Sequence, residues 1–166
     1  MSNLSKLSLI TLLIAVFCSL NLDTVQAQAG QRDKVGLGII LGDPSGITYK
    51  NYFNSKNALD ATVGWTFRYD GGLYLHADYL WHNYDLFQDM DEDMSVRKGL
   101  VGFYYGIGGR VFLSSDSNLG VRVPVGVNYL FENDPLEIFL EIAPTLDLVP
   151  STEADVSGGI GIRYYF

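Results

Sequence analysis

Apolar and polar residues alternate along most of the chain, which is the pattern of β-strands that have one apolar face. The clearest run extends from about residue 58 to residue 70. Apolar residues from Leu59 to Tyr69 occupy every second position of this run, and polar residues or glycine lie between them. The same alternation recurs in seven further segments, so the sequence predicts eight strands. The periodicity of a helix does not appear between them, which argues against a parallel α/β sheet.

The predicted strands follow one another with few long connections. Short segments with turn chemistry separate most of them, for example Asp43-Pro44-Ser45-Gly46 and Gly71-Gly72. The longest connection is an acidic segment, residues 85–98. Membrane-spanning strands need about 9 to 11 residues, and the smallest single-chain barrels have eight strands. We therefore expect an all-β fold, an eight-stranded antiparallel up-and-down transmembrane β-barrel. The predicted strands cover residues 35–42, 47–54, 58–70, 73–82, 100–113, 119–131, 136–148 and 155–166.

The first 27 residues have the pattern of a cleaved signal peptide. Lys6 supplies a positive charge, an apolar stretch follows from Leu7 to Leu22, and Val25-Gln26-Ala27 offers small residues for cleavage. Ala27-Gln28-Ala29 is a competing cleavage site. We expect residues 1–27 to be removed and residues 28–166 to form the barrel domain. The single cysteine, Cys18, lies in the leader, so the mature chain is expected to hold no disulfide.

The apolar face of the strands could point into the lumen or towards a membrane. A secreted soluble barrel that binds a hydrophobic ligand would have it inside. However, glycines crowd the polar face, and small residues suit the interior of a narrow barrel. If both termini are periplasmic, the aromatic residues of the apolar face collect at the periplasmic end, as in an interfacial girdle. This pattern favours lipid on the apolar face. The predicted girdle comprises Phe53, Tyr79, Trp81, Phe103, Tyr105, Tyr129, Phe131 and Tyr164, together with Phe166.

The charged residues of the polar face must then neutralise one another in a narrow lumen. Residue counting from the periplasmic end predicts two layers, each of which mixes both signs of charge. We therefore expect a salt-bridged lumen rather than an open pore, with His76 as a further member of the network. The lower layer comprises Lys50, Asp60, Asp78, Glu141 and Arg163, and the upper layer comprises Arg68, Arg110, Arg122, Asp147 and Asp155.

The last strand ends on an aromatic residue. Its apolar face presents Ile160, Ile162, Tyr164 and Phe166. This strand resembles the terminal strand of bacterial outer-membrane β-barrels, which the barrel assembly machinery reads as an insertion signal.

Several runs extend this resemblance over nearly all of the mature chain. They include Tyr105-Gly106-Ile107-Gly108-Gly109-Arg110, Phe139-Leu140-Glu141-Ile142-Ala143-Pro144 and Gly161-Ile162-Arg163-Tyr164-Tyr165-Phe166. They resemble a family of small bacterial outer-membrane β-barrel proteins of unassigned function, and the architecture is similar to that of OmpA-type and OmpX-type barrels. The resemblance implies an outer-membrane location, with membrane lipid and the assembly machinery as partners, and it supplies no reaction. We expect a monomer.

Candidate chemistry is sparse. The net charge of −8 offers no basis for nucleic-acid binding. His76 and Asp78 lie about 7 Å apart on one strand face, and a lipid A or phospholipid modifying outer-membrane enzyme could use such a pair. No serine shares their strand, so a non-catalytic barrel with a structural or surface-interaction role is the favoured interpretation. We predict no catalytic or cofactor site. We also predict no metal site, because the acidic run that begins at Asp89 has Met94 in place of the glycine of a calcium loop and Leu100 in place of its closing glutamate.

Overall fold

The computed structural model describes residues 35–66, 71–86, 99–114 and 117–166. Nine antiparallel strands in these residues form a single sheet. Strands adjacent in the chain pair with each other except for β6 and β7, and the last strand pairs with the first, so the sheet closes into a ring. The predicted all-β, antiparallel, up-and-down barrel is confirmed. The strands are β1 (Val35–Asp43), β2 (Ser45–Tyr52), β3 (Asn57–Thr66), β4 (Gly72–Asn83), β5 (Gly99–Leu113), β6 (Asn118–Arg122), β7 (Val125–Phe131), β8 (Leu136–Val149) and β9 (Glu153–Tyr165).

The number of strands differs from the predicted eight because Pro124 divides the sixth predicted strand into β6 and β7. Proline has no backbone N–H to donate to a sheet. Both β6 and β7 pair with β5 and β8, so they share one position in the ring. The Pro124 carbonyl still accepts a 2.9 Å hydrogen bond from Gly106 N, and Val123 N donates to the Pro144 carbonyl at 2.9 Å. The wall of the barrel therefore continues across the interruption.

Some sequence predictions fall outside the described residues. The signal peptide of residues 1–27, Arg68 and most of the acidic connection are among them. Within the parts of the chain that the structure describes, no helix has the length and apolar character needed to cross a membrane.

The apolar faces of the strands point outwards and the polar faces point into the lumen. Val63 and Ile107 are 54% and 52% exposed on the outer surface. Lys50 and Arg122, by contrast, are 0% and 1% exposed. A soluble barrel that carries a hydrophobic ligand inside would have the opposite arrangement, with its apolar faces towards the lumen.

Inward-facing glycines make room for large side chains of the neighbouring strands. A methyl group added at Gly36 would lie 2.8 Å from the ring of Tyr165. At Gly161 the same group would overlap the ring of Phe139. Small residues therefore lie beside large residues of the neighbouring strands, as close packing of a barrel interior requires.

We expect Gly108→Ala to destabilise the barrel. Its methyl group would overlap the Ala77 carbonyl oxygen and the Asp78 side chain on β4. Such overpacking lowers the free energy of unfolding by about 1–3 kcal/mol. The measurement is urea-induced unfolding of the purified protein in detergent micelles.

Gly109→Ala is the matched control. Its methyl group would lie 3.8 Å from the Gly120 carbonyl oxygen, with no closer neighbouring atom. It should change the free energy of unfolding by less than about 0.5 kcal/mol. Equal losses in the two variants would contradict the packing described for Gly108.

Candidate functional site

In the part of the chain that the structure describes, the charged side chains of the lumen form three clusters. We define the lower cluster as Lys50, Asp60, Glu137 and Arg163, the central cluster as His76, Asp78, Arg122 and Glu141, and the upper cluster as Arg110, Asp147 and Asp155.

The lower cluster is electrically balanced. Glu137 accepts hydrogen bonds from Lys50 Nζ at 2.9 Å and from Arg163 Nη1 at 3.2 Å. Arg163 Nη2 also donates to Asp60 Oδ2 at 2.5 Å. All four side chains are at most 2% exposed. Two cations and two carboxylates therefore neutralise each other in a buried site.

Neutral side chains complete the hydrogen bonding of the lower cluster. Tyr165 and Asn128 donate to the two oxygens of Glu137, at 2.5 Å and 2.8 Å. Arg163 Nη2 donates to Thr48 Oγ1 at 2.8 Å, and its guanidinium lies 3.7 Å from the centroid of the Phe139 ring. A buried ion pair stabilises a structure only when its remaining polar atoms are also satisfied, and this cluster meets that condition.

Arg122 organises the central cluster. Its Nη2 lies 2.5 Å from Glu141 Oε1, and its Nε lies 3.2 Å from Asp78 Oδ2. Its Nη1 lies 2.5 Å from Nδ1 of His76. Tyr104 donates to the second oxygen of Glu141 at 3.0 Å. The guanidinium thus contacts every other member of the cluster.

The central cluster also brings together three potential metal ligands. One ligand atom each from His76, Asp78 and Glu141 lies within 4.8 Å of the others. Arg122 occupies the space among them, however, and a guanidinium can only donate hydrogen bonds. Nδ1 of His76 must therefore accept from Arg122, which leaves the proton of the neutral ring on Nε2. Because neither ring nitrogen presents a free lone pair, the arrangement does not favour metal binding.

The upper cluster is built on a bidentate pair. Arg110 donates to Asp147 from Nε at 2.9 Å and from Nη2 at 2.6 Å. Its Nη1 donates to Asp155 at 2.8 Å. Asn118 donates to Asp147 at 3.3 Å. This planar two-bond geometry holds the guanidinium in a fixed orientation.

The clusters differ from the two layers predicted by residue counting. Arg122, assigned to the upper layer, lies with Asp78 and Glu141, which were assigned to the lower one. The reason is the stagger of the strands. Pairing followed around the ring from Arg163 returns to β9 at Glu153, ten residues away. Residues at equal distance from the strand ends therefore do not meet.

Sequence reasoning missed Glu137, although it holds the lower cluster together. It lies four residues before Glu141 on β8, so it has the same inward parity. That inward parity was the feature of the sequence from which Glu137 could have been assigned to the lumen. Neither of the two predicted layers included Glu137.

Aromatic side chains gather in the lumen at the end where Val35 and Phe166 meet. His82 stacks on Tyr84 with an interplanar angle of 11° and lies 5.3 Å from Tyr104, ring centroid to centroid. Tyr52 and Tyr84 share a hydrogen bond of 2.9 Å between their hydroxyl groups. Lys50 Nζ lies 5.0 Å from the ring centroids of both Tyr52 and Tyr104. These contacts join the aromatic group to the lower cluster.

The predicted girdle residues lie on the outer surface. Phe53, Tyr79 and Trp81 form consecutive ring contacts, at 6.1 Å and 5.0 Å between centroids. Trp81 continues to Tyr105 at 5.7 Å, and Tyr105 to Phe103 at 6.3 Å. Two further contacts join Tyr129 to Phe131 and Tyr164 to Phe166, at 4.8 Å and 5.7 Å. Ile160 and Ile162, the other residues of the predicted insertion signal, are 54% and 40% exposed.

Comparison with solved structures finds small outer-membrane barrels. The N-terminal β-barrel domain of Pseudomonas aeruginosa OprF aligns with a TM-score of 0.58 and 13% identity, covering 83% of this chain and 100% of that domain. Neisserial surface protein A aligns with a TM-score of 0.37 and 11% identity, over 80% and 93% of the two chains. At such identities the similarity to OprF concerns the fold alone.

Comparison at the level of sequence finds a family. No curated protein matches the chain. The model of one family, described as "Protein of unknown function (DUF3996)", matches residues 26–166. The expected resemblance to a family of unassigned function with the fold of small outer-membrane barrels is confirmed. Because the match spans most of its length, the chain belongs to the DUF3996 family.

Proposed function

We propose that the protein is an integral outer-membrane β-barrel with a sealed lumen, which serves envelope structure or surface interaction without catalysis. The observation that carries this proposal is the orientation of the strand faces, with apolar side chains outside the barrel and charged side chains inside it. The outer surface presents half-exposed aliphatic side chains such as Val63 and Ile107, whereas Lys50 and Arg122 are buried inside. Membrane barrels have an outward apolar band and a polar interior.

The extent of the apolar surface supports a lipid environment. Exposed large hydrophobic side chains occur on every one of the described strands, as Leu37, Ile47 and Trp65 illustrate on the first three. Soluble monomers rarely expose contiguous apolar patches larger than a few hundred Å². The girdle at one end fits the preference of aromatic rings for the membrane interface. Export by the leader of residues 1–27 and insertion by the assembly machinery belong to the same proposal.

The ion-paired clusters support a sealed lumen. Arg122, Arg163 and Glu137 are each at most 2% exposed, so their charged groups fill the interior. The aromatic group around His82 lies at one end of these clusters. A water-filled channel would leave such charges solvated. We therefore propose that the barrel does not conduct as a porin does.

A lipid-modifying enzyme is the alternative, and the surroundings of His76 favour it less. His76 is 6% exposed, and its ring faces the lumen rather than the lipid surface. Its Nδ1 is engaged by Arg122, and its Nε2 points between Asp78 and Asp60. A general base has to reach the substrate proton that it removes. His76 has the surroundings of a structural residue.

The location is tested by cell fractionation and gel mobility. We expect the protein in the outer-membrane fraction, folded only in detergent or lipid, with a mobility in gel electrophoresis that changes on heating. The physical reason is that the apolar outer surface requires a non-aqueous solvent. A folded, monomeric protein in buffer without detergent would contradict the proposal.

Substitution of an outward residue tests lipid contact directly. Ile107→Lys, near the middle of β5, should lower the free energy of unfolding in phospholipid vesicles by about 2–4 kcal/mol, because a cation would enter hydrocarbon. Val149→Lys is the matched control, since Val149 is 54% exposed and Ile107 52%, but Val149 ends β8. Its cost near the interface is about 1 kcal/mol or less. Small and equal effects would indicate that water covers both sites.

Single-channel recording tests the sealed lumen. Purified protein inserted into planar bilayers should show no stable conductance of the size of a porin's, because the three clusters fill the interior. Insertion is verified independently by protease protection of reconstituted vesicles. A porin-sized open state in the inserted protein would show that the clusters do not seal the barrel.

A further inference from the structure

The buried charges of the central and lower clusters do not balance. The lower cluster pairs Lys50 and Arg163 with Asp60 and Glu137, all nearly inaccessible to solvent. The central cluster has one fixed cation, Arg122, for the carboxyl groups of Asp78 and Glu141. One carboxyl group is therefore unmatched in a region where an uncompensated charge is very costly.

His76 does not supply the missing positive charge. Its Nδ1 lies 2.5 Å from Arg122 Nη1, and the guanidinium of Arg122 can only donate. An imidazolium ring has no acceptor nitrogen, so this contact requires a neutral His76. The balancing positive charge must lie elsewhere in the cluster.

The hydrogen bonds identify Asp78 as the unmatched group. Glu141 receives Arg122 Nη2 at 2.5 Å and the Tyr104 hydroxyl at 3.0 Å. Asp78 is 1% exposed, and among the described residues neither of its carboxyl oxygens has a hydrogen-bond partner. Its Oδ2 lies within ion-pair distance of Arg122 Nε at 3.2 Å and of His76 Nε2 at 3.6 Å, without the geometry of a hydrogen bond.

The position of Asp60 adds to the repulsion. Asp60 and Asp78 are directly opposite each other on β3 and β4. Like charges at opposed positions of an antiparallel pair are destabilising. Asp60 is the ionised member, because Arg163 Nη2 bonds it at 2.5 Å.

We propose that Asp78 holds a proton and forms a buried neutral carboxylic acid, which makes the central cluster a proton-binding site. The proton restores neutrality to the two clusters without a metal ion. A small monovalent cation would restore the same balance, but Asp78 Oδ1 is packed against Gly108, where a single methyl group would overlap it. A proton needs no such space. This inference rests on the buried clusters and is independent of the membrane location.

Two isosteric substitutions test the proposal. Asp78→Asn replaces a neutral acid by a neutral amide, so the urea midpoint of the purified protein in micelles should stay unchanged or rise. Asp60→Asn makes the same substitution at a residue of equal 1% exposure, but it removes an ionised carboxylate that is paired with Arg163, so its midpoint should fall. A fall of similar size for Asp78→Asn would mean that Asp78 is ionised and would overturn the proposal.

Infrared spectroscopy supplies a readout that does not depend on stability. The folded wild-type protein at neutral pH in sodium-free buffer should show the C=O stretching band of a protonated carboxyl group, and Asp78→Asn should lose it. This comparison decides the question even if Asp60→Asn does not fold. If the wild type lacks the band, or if the band persists in Asp78→Asn, the proton is not on Asp78. A band that disappears when sodium is added would show that a cation competes for the site and would also overturn the assignment.

Discussion

Pairing of β1 with β9 is the interaction on which the rest of the structure depends. The two strands join over eight residue pairs, from Gly36 opposite Tyr165 to Asp43 opposite Gly158. Closure gives the backbone groups of both strands a partner and removes the edges that an open sheet would expose. It also separates an inside from an outside. Both the charged interior and the apolar outer surface follow from the side of this wall that each side chain occupies.

The interior of the ring is narrow, and this governs its chemistry. Glycines on the inward faces admit rings such as those of Tyr165 and Phe139. The remaining space is taken by charged groups that are paired inside the lumen. Arg163 of β9 pairs with Glu137 on the neighbouring strand β8 and with Asp60 on β3. Because removal of a charge from water is expensive, such groups are compatible with a stable fold only when they are paired. The lumen is thus a polar core, and it replaces the apolar core of a soluble domain.

The apolar outer surface of the barrel requires an apolar environment. Aliphatic side chains cover this surface, and aromatic rings gather at the end where Val35 and Phe166 meet. In the proposed membrane location, lipid takes the place that protein atoms take in a soluble core, while the ion pairs inside hold the wall together. The similarity to the OprF barrel domain concerns the fold, and no reaction follows from it. The buried surroundings of His76 support the proposed non-catalytic role.

The sequence alone determined the class of fold and the side of the wall that each residue occupies, because strand parity has a period of two and is purely local. Alternation around Val63 or Ile107 requires no knowledge of the neighbouring strands. The strand break at Pro124 was also readable in principle, since proline removes a donor wherever it occurs.

Only the tertiary structure decided which charges meet. The stagger of the closed sheet, ten residues around the ring from Arg163 to Glu153, accumulates over all pairings and is encoded in no single strand. It brings Arg122 to Asp78 and makes Glu137 the partner of Lys50, because contacts across a barrel depend on register summed over the whole circuit.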